Sequence, residues 1–140
     1  MTNKEILRNK LGEIQKYLNI IKEYHATSKE ALIKDHTLRG AVERYLYLLC
    51  QSTIDFAESL ISYLNLRHPT TYGEIFEILN EAKIISSELC LKMKKMTGFR
   101  NILAHSYTEV NIDIVLEVMK RDIHDFLLFI REVQEKVQLE

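Results

Sequence analysis

Turn-forming residues are scarce in this chain. Its 140 residues include four glycines and one proline, together about 4% where roughly 12% is usual. A sheet protein of this size needs many turns, and turns need those residues, so the composition points to a few long helices. Cysteine is equally sparse. Cys50 and Cys90 each sit in an apolar stretch, too few for a disulfide framework, and are expected to be reduced core thiols of a cytosolic protein. No hydrophobic run is long: the longest, Tyr45 to Cys50, has six residues, against the roughly 20 that span a bilayer. Met1 to Glu5 lacks the apolar core of a signal peptide. A cytoplasmic location with no membrane partner is therefore expected. Neither charge sign dominates, with 19 Lys plus Arg, 20 Asp plus Glu and a net charge of −1. That excludes a globally basic nucleic-acid coat protein but leaves room for a local basic patch.

Other chemistries are excluded by what the sequence does not contain. Without a glycine-rich phosphate loop, a P-loop or Rossmann nucleotide triphosphatase is ruled out. His25, His36, His68 and His124 are scattered, with no two at i, i+3 or i, i+4. With two isolated cysteines, this leaves no metal site and no cofactor expected, and these histidines read as surface or capping residues.

What is present is helical periodicity. Thr2 or Asn3 caps a first helix whose apolar face is Leu7, Leu11, Ile14, Leu18 and Ile21, running to about His25. Ser28 caps a short helix to about Lys34, and Asp35-His36-Thr37 reads as a break. Arg39 to Leu66 is the longest early periodic run, with Val42, Leu46, Leu49, Thr53, Phe56, Leu60 and Leu64 on one face. Asn65 to Pro69 ends it, because Pro69 disfavours helix at the residue before it. Thr71 caps a helix carrying Tyr72, Ile75, Phe76 and Leu79. Ser86 or Ser87 caps the next, with Leu89, Met93 and Met96 on one face, reaching about His105. Asn111 caps the last, striped by Val115, Met119, Ile123, Phe126, Ile130, Val133 and Val137. The expectation is one all-α domain over 1–140: an up-and-down bundle of about four long helices plus one or two short ones. A second apolar row on the first helix, Tyr17, Ile20 and Tyr24, marks either a subunit contact or the seat of a short helix.

One segment departs from scaffold. Lys92 to Tyr107 carries four cationic side chains, no acidic one, a histidine and a tyrosine. Local positive charge on a near-neutral chain suits an anionic ligand, and a solvated lysine face is the bland alternative. Asn101 and His105 stand at i, i+4 and share a face. Arg100 and His105 stand at i, i+5, which a straight helix separates by about 140° around its axis and about 7.5 Å along it. Gly98 inside a helix costs about 1 kcal/mol against alanine, either for the close approach of another backbone or as simple tolerance.

Histidine suits proton transfer near neutral pH. Arginine binds phosphate bidentately and keeps its charge throughout. Metal-free cleavage of RNA needs a group to take the 2′-hydroxyl proton, another to protonate the leaving oxygen, and a cation on the phosphate. One chain offers one histidine and one arginine here, and a two-fold dimer would offer two of each. Arg44 is expected to be a structural ion-pair partner, with a cleft position as the alternative. Tyr45, Tyr47 and Tyr63 are expected to be core or interface groups.

Arg100-Asn101-Ile102-Leu103-Ala104-His105-Ser106-Tyr107 fits the pattern Arg, four residues, His, one residue, Tyr. It resembles the signature of the HepT-like group of the HEPN superfamily: small, cytosolic, all-helical ribonuclease toxins of prokaryotic toxin–antitoxin pairs. Leu38 to Arg44 opening a long helix, Ile54-Asp55 later in it, and the acidic, apolar helix after Asn111-Ile112-Asp113 resemble the group as well, so the likeness covers nearly the whole chain.

The resemblance implies a HEPN-like bundle, a homodimer whose two motifs meet in a cleft, and an RNA substrate. Arg100 would stabilise the scissile phosphate and His105 would carry the proton transfers. Asn101 would support the phosphate or the histidine. Tyr107 matches the tyrosine that the cognate minimal nucleotidyltransferase antitoxin modifies with AMP to silence the toxin. The leading expectation is a metal-independent endoribonuclease toxin. The alternatives are a non-catalytic nucleotide-binding or nucleotidyltransferase-partner module and a plain helical assembly protein.

Overall fold

The computed structural model describes residues 2–105 and 110–139, and all regular structure among them is helical. Helix α1 spans Asn3–Lys22. Thr2 and Glu5 close a reciprocal capping box at its start: Thr2 N donates to Glu5 Oε2 at 2.7 Å, and Glu5 N donates to Thr2 Oγ1 at 3.1 Å. Leu7, Leu11, Ile14, Leu18 and Ile21 are its buried face, as the periodicity predicts. Helix α2, Lys29–Lys34, starts at Ser28, whose hydroxyl accepts from Ala31 N.

The expected break at 35–37 narrows to one residue. Asp35 accepts from Leu38 N at 3.0 Å, so α3 already begins at His36 and runs to Tyr63. It also ends before the expected Leu66. Asn65 adopts φ +56, the left-handed conformation that asparagine tolerates after a helix, and Leu66 N turns back to Ile61 O at 3.0 Å. Helix α4, Tyr72–Glu81, is capped by Thr71. The linking loop is pinned by Arg67, which holds both oxygens of Glu81 and, at 2.9 Å, Glu74.

Helix α5, Ser87–His105, is tied to the end of the bundle at its start, where Ser86 N donates to Glu132 at 2.7 Å. Asn111 caps α6, Ile112–Glu117. The single last helix of the periodicity reading is instead interrupted by a π-turn at Val118–Asp122 before α7, Ile123–Lys136. Two successive four-residue steps, Val115 to Met119 to Ile123, each overshoot an α-helical face by about 40°. The wider π-turn absorbs that drift, and Val115 and Met119 both stay in the core.

Helix α3 is the central pillar. It packs against α1, α2, α4 and α5, with α7 closing the far side against α5. Phe129 of α7 meets Phe56 of α3 and Phe76 of α4 edge-on, at 6.1 and 5.7 Å. The bundle expected from composition is the bundle observed, with α2 and α4 as its short members. Cys50 and Cys90 are free and buried. Two of the second-row residues turn inward: Tyr24, just beyond α1, stacks on Tyr45 of α3 at 6.1 Å, and Tyr17 packs on the core. Among the described residues, no helix is long and apolar enough to cross a membrane.

Candidate functional site

The basic segment on α5 does not act as one patch. Lys94 is ion-paired with Glu77 of α4. Lys92 lies 3.6 Å from Glu88 and 3.8 Å from Asp125 of α7, and Lys95 is exposed. For these three lysines a solvated face is the observed outcome, with Lys92 and Lys94 ion-paired on it.

Arg100 is different. It turns across the bundle onto α3 and the start of α4. Its Nε donates to Gln51 Oε1 at 2.7 Å, and its Nη1 donates to Asn101 Oδ1 at 3.0 Å. Gln51 is held in turn, its Nε2 donating to Asp55 Oδ1 at 2.8 Å. Two aromatic rings receive the guanidinium, with its Cζ 5.0 Å from the Tyr72 centroid and 5.5 Å from that of Tyr47. Such contacts orient a guanidinium without neutralising it. No carboxylate touches Arg100 among the described residues, so its charge stays available to an anion. Its field reaches Cys50, where burial outweighs it and pushes the thiol up to about 12.

Asn101 and His105 are exposed. The unbroken α5 carries both motif residues, so His105 sits at the end of the helix, displaced around the axis from Arg100 as helix geometry requires. One chain therefore presents an arginine fixed in a polar–aromatic socket and a histidine standing free of that socket. Tyr107 lies outside the described residues. Just beyond it, the backbone carbonyl of Val110 accepts from Arg39 of α3, itself paired with Glu43 at 2.9 Å. The Leu38–Arg44 block thus fastens the chain where it re-emerges after the motif.

Tyr47, Gln51 and Tyr72 escaped the sequence reading, which placed Tyr47 among core or interface groups and Tyr72 on a core stripe. A signal existed for two of them. Arg44, Tyr47, Gln51 and Asp55 follow one another at steps of three and four along α3, a polar stripe down a mostly apolar helix. The expected ion pair of Arg44 is not found: among the described residues it meets no carboxylate and lies instead 5.3 Å from the Tyr47 centroid. Its i+4 neighbour is Leu48, whereas Arg39 has Glu43 there. Gly98 faces open space among the described residues, so within one chain it is tolerated rather than required. A groove of about 860 Å³ runs between α5 and the α6–α7 segment. Ile102 and Ile114 stand exposed on it at 48% and 42%.

Comparison with known proteins gives consistent likenesses. The family described as Ribonuclease HepT-like matches residues 14–133. The chain is similar to the mRNA nuclease HepT of Shewanella oneidensis, 31% identical over 126 residues that cover 90% of this chain and 94% of that protein. It is also similar to the tRNA nuclease HepT of Aphanizomenon flos-aquae, 27% identical over 135 residues, covering 95% and 92%. Among solved structures, a toxin–antitoxin with AMP-PNP superposes with a TM-score of 0.85 at 30% identity, over 94% of this chain and 99% of that one. The tri-AMPylated Shewanella oneidensis HEPN toxin in complex with MNT antitoxin gives 0.85 at 29% identity, over 97% and 100%.

Proposed function

The chain belongs to the HepT-like ribonuclease family, and from that premise we propose that it is a metal-independent endoribonuclease, the toxin of a pair whose antitoxin is a minimal nucleotidyltransferase. The observation that carries the site assignment is the Arg100 socket. A guanidinium fixed by Gln51, stacked on two tyrosines and free of carboxylates is prepared to receive a phosphate rather than to stabilise a fold.

The reaction is a transesterification. A histidine takes the proton of the ribose 2′-hydroxyl, the 2′-oxygen attacks the adjacent phosphorus, and the 5′-oxygen leaves with a proton from a second histidine. The products are a 2′,3′-cyclic phosphate and a 5′-hydroxyl. Arg100 stabilises the charge that builds on the phosphorane oxygens. Asn101, hydrogen-bonded to Arg100, supports its orientation.

Two proton-transfer groups are needed and each chain brings one motif histidine, so the active unit is a homodimer with both copies of Arg100 and His105 in one cleft. The splay of Arg100 and His105 on α5 favours this, because the arginine of one copy and the histidine of the other converge more easily than the pair on one helix. The exposed Ile102, inside the motif, suits a subunit contact at the same place. Tyr107 is the acceptor for AMP from the antitoxin. A nucleotide there adds negative charge and bulk beside the cleft and so excludes RNA.

The test is cleavage of total RNA in EDTA by wild type, Arg100→Ala and His105→Ala, each checked for helicity and dimer mass. Cleavage by the wild type alone is expected. Cleavage that survives both substitutions overturns the assignment. Intact RNA with every variant, together with an unmodified mass for the wild-type chain, favours the alternative of a non-catalytic partner module.

A further inference from the structure

Seven arginines are present in the chain. Among the described residues six of them reach a carbonyl or a carboxylate: Arg8, Arg39, Arg67, Arg100, Arg121 and Arg131. Arg44 is the exception. It is exposed, and its contact is the face of Tyr47, 5.3 Å from Cζ to centroid. The carboxylates nearest to it along α3 are already engaged, Glu43 by Arg39 and Asp55 by Gln51. The same Tyr47 ring lies 5.5 Å from the Arg100 guanidinium. One half-buried ring therefore spaces two cations, and the two guanidinium carbons can lie no farther apart than those two distances laid end to end.

We infer that Arg44 is a second phosphate contact for the substrate strand, holding a phosphate next to the one at Arg100, with Tyr47 as the rigid spacer between them. This rests on the ribonuclease reading and extends it from the reacting phosphate to the strand beside it. Two like charges held this close repel unless an anion lies between or beside them, and among the described residues no carboxylate touches Arg44 or Arg100. The Tyr47 ring gives the Arg44 side chain a resting place on α3 beside Arg100. Successive phosphates of a single strand present that spacing of charge along an extended backbone, whereas a lone phosphate needs only Arg100.

The test separates Arg44 from the chemistry. In the His105→Ala background and in EDTA, binding of a fluorescein-labelled single-stranded RNA of mixed sequence is measured by anisotropy across a range of NaCl, with and without Arg44→Ala and Arg44→Lys. Loss of one phosphate contact on a single strand lowers the slope of log K against log salt by about 0.7. The expected result is that fall with Arg44→Ala, weaker binding at low salt, and restoration of the slope by Arg44→Lys. An unchanged slope with Arg44→Ala overturns the inference while leaving the ribonuclease reading in place. No RNA bound by the His105→Ala protein and none cleaved by the wild type overturns both.

Discussion

Arg100 on α5 and Gln51 on α3 are joined by a 2.7 Å hydrogen bond from Nε. Through Gln51, Asp55 sets the orientation of the guanidinium without pairing with it directly. An amide at this point does what a carboxylate would do less well. It fixes the planar group and leaves the positive charge unneutralised. Gln51→Ala is expected to keep the fold, because Gln51 is only partly buried. It should lower kcat/KM for RNA cleavage on the order of ten- to a hundredfold, the usual cost of a misplaced catalytic group. Steady-state cleavage of a defined RNA measures it, and an unchanged kcat/KM would remove Gln51 from the site.

Tyr107 is expected to accept one AMP when the chain is incubated with ATP and its cognate nucleotidyltransferase, and the modified chain is expected to lose RNA cleavage. Tyr107→Phe removes the acceptor oxygen, so it should keep cleavage and prevent the loss. Intact-mass spectrometry beside the cleavage assay decides this. An AMP that still arrives on the Tyr107→Phe chain places the acceptor elsewhere.

Two backbone positions give stability predictions of known sign. Lys83 adopts φ +61 after α4, a conformation that costs an L-residue about 1–2 kcal/mol. Lys83→Gly should relieve part of it and stabilise the fold by about 0.5–1 kcal/mol. Gly98, in mid-helix, faces open space within the chain, so Gly98→Ala should add about 1 kcal/mol to the folded monomer. If the partner's backbone packs at Gly98, the same change weakens the dimer. Urea midpoints and dimer mass at several concentrations separate the two effects.

Cys50 gives a pH dependence. Burial lifts its thiol from 9.0 to about 12, with Arg100 pulling weakly the other way. Between those values the unfolded chain releases a proton that the folded chain keeps, so Cys50 costs stability as pH rises above about 9. Cys50→Ala removes that cost while creating a small cavity. The variant should therefore be less stable than wild type at pH 8, with a difference that narrows towards pH 10.5 in urea titrations. A difference constant with pH would contradict the buried-thiol account. The same burial keeps Cys50 slow to react with iodoacetamide until the chain unfolds.

How much of this was legible in the sequence follows from the range of each interaction. Helix caps and apolar periodicity are local, so Thr2, Ser28, Thr71 and Asn111 announce their helices, and the spacing of Leu7, Leu11, Ile14, Leu18 and Ile21 suffices to give the buried face. Scarce glycine and proline sufficed for an all-helical bundle, and the spacing of Arg100, His105 and Tyr107 sufficed to point to a family. The start of α3 moved for a local reason of finer grain, since Asp35 caps where a break is expected, while the stop expected from Asn65 to Pro69 falls where Asn65 turns left-handed.

The socket needed the tertiary structure. Gln51 and Arg100 are 49 positions apart, and nothing in either neighbourhood says that α5 lies against α3 at that register. Tyr72 reads as one more member of an apolar stripe until α4 is packed and its ring meets the guanidinium. The fate of the lysines was also decided in three dimensions, since only packing brings Glu77 and Asp125 beside them. Sequence alone determined which side chains were present and which face of each helix was oily, because both follow from residue type and a fixed helical repeat. Which cations were left without a carboxylate depended on where the carboxylates of other helices fell, and only the packed bundle sets that.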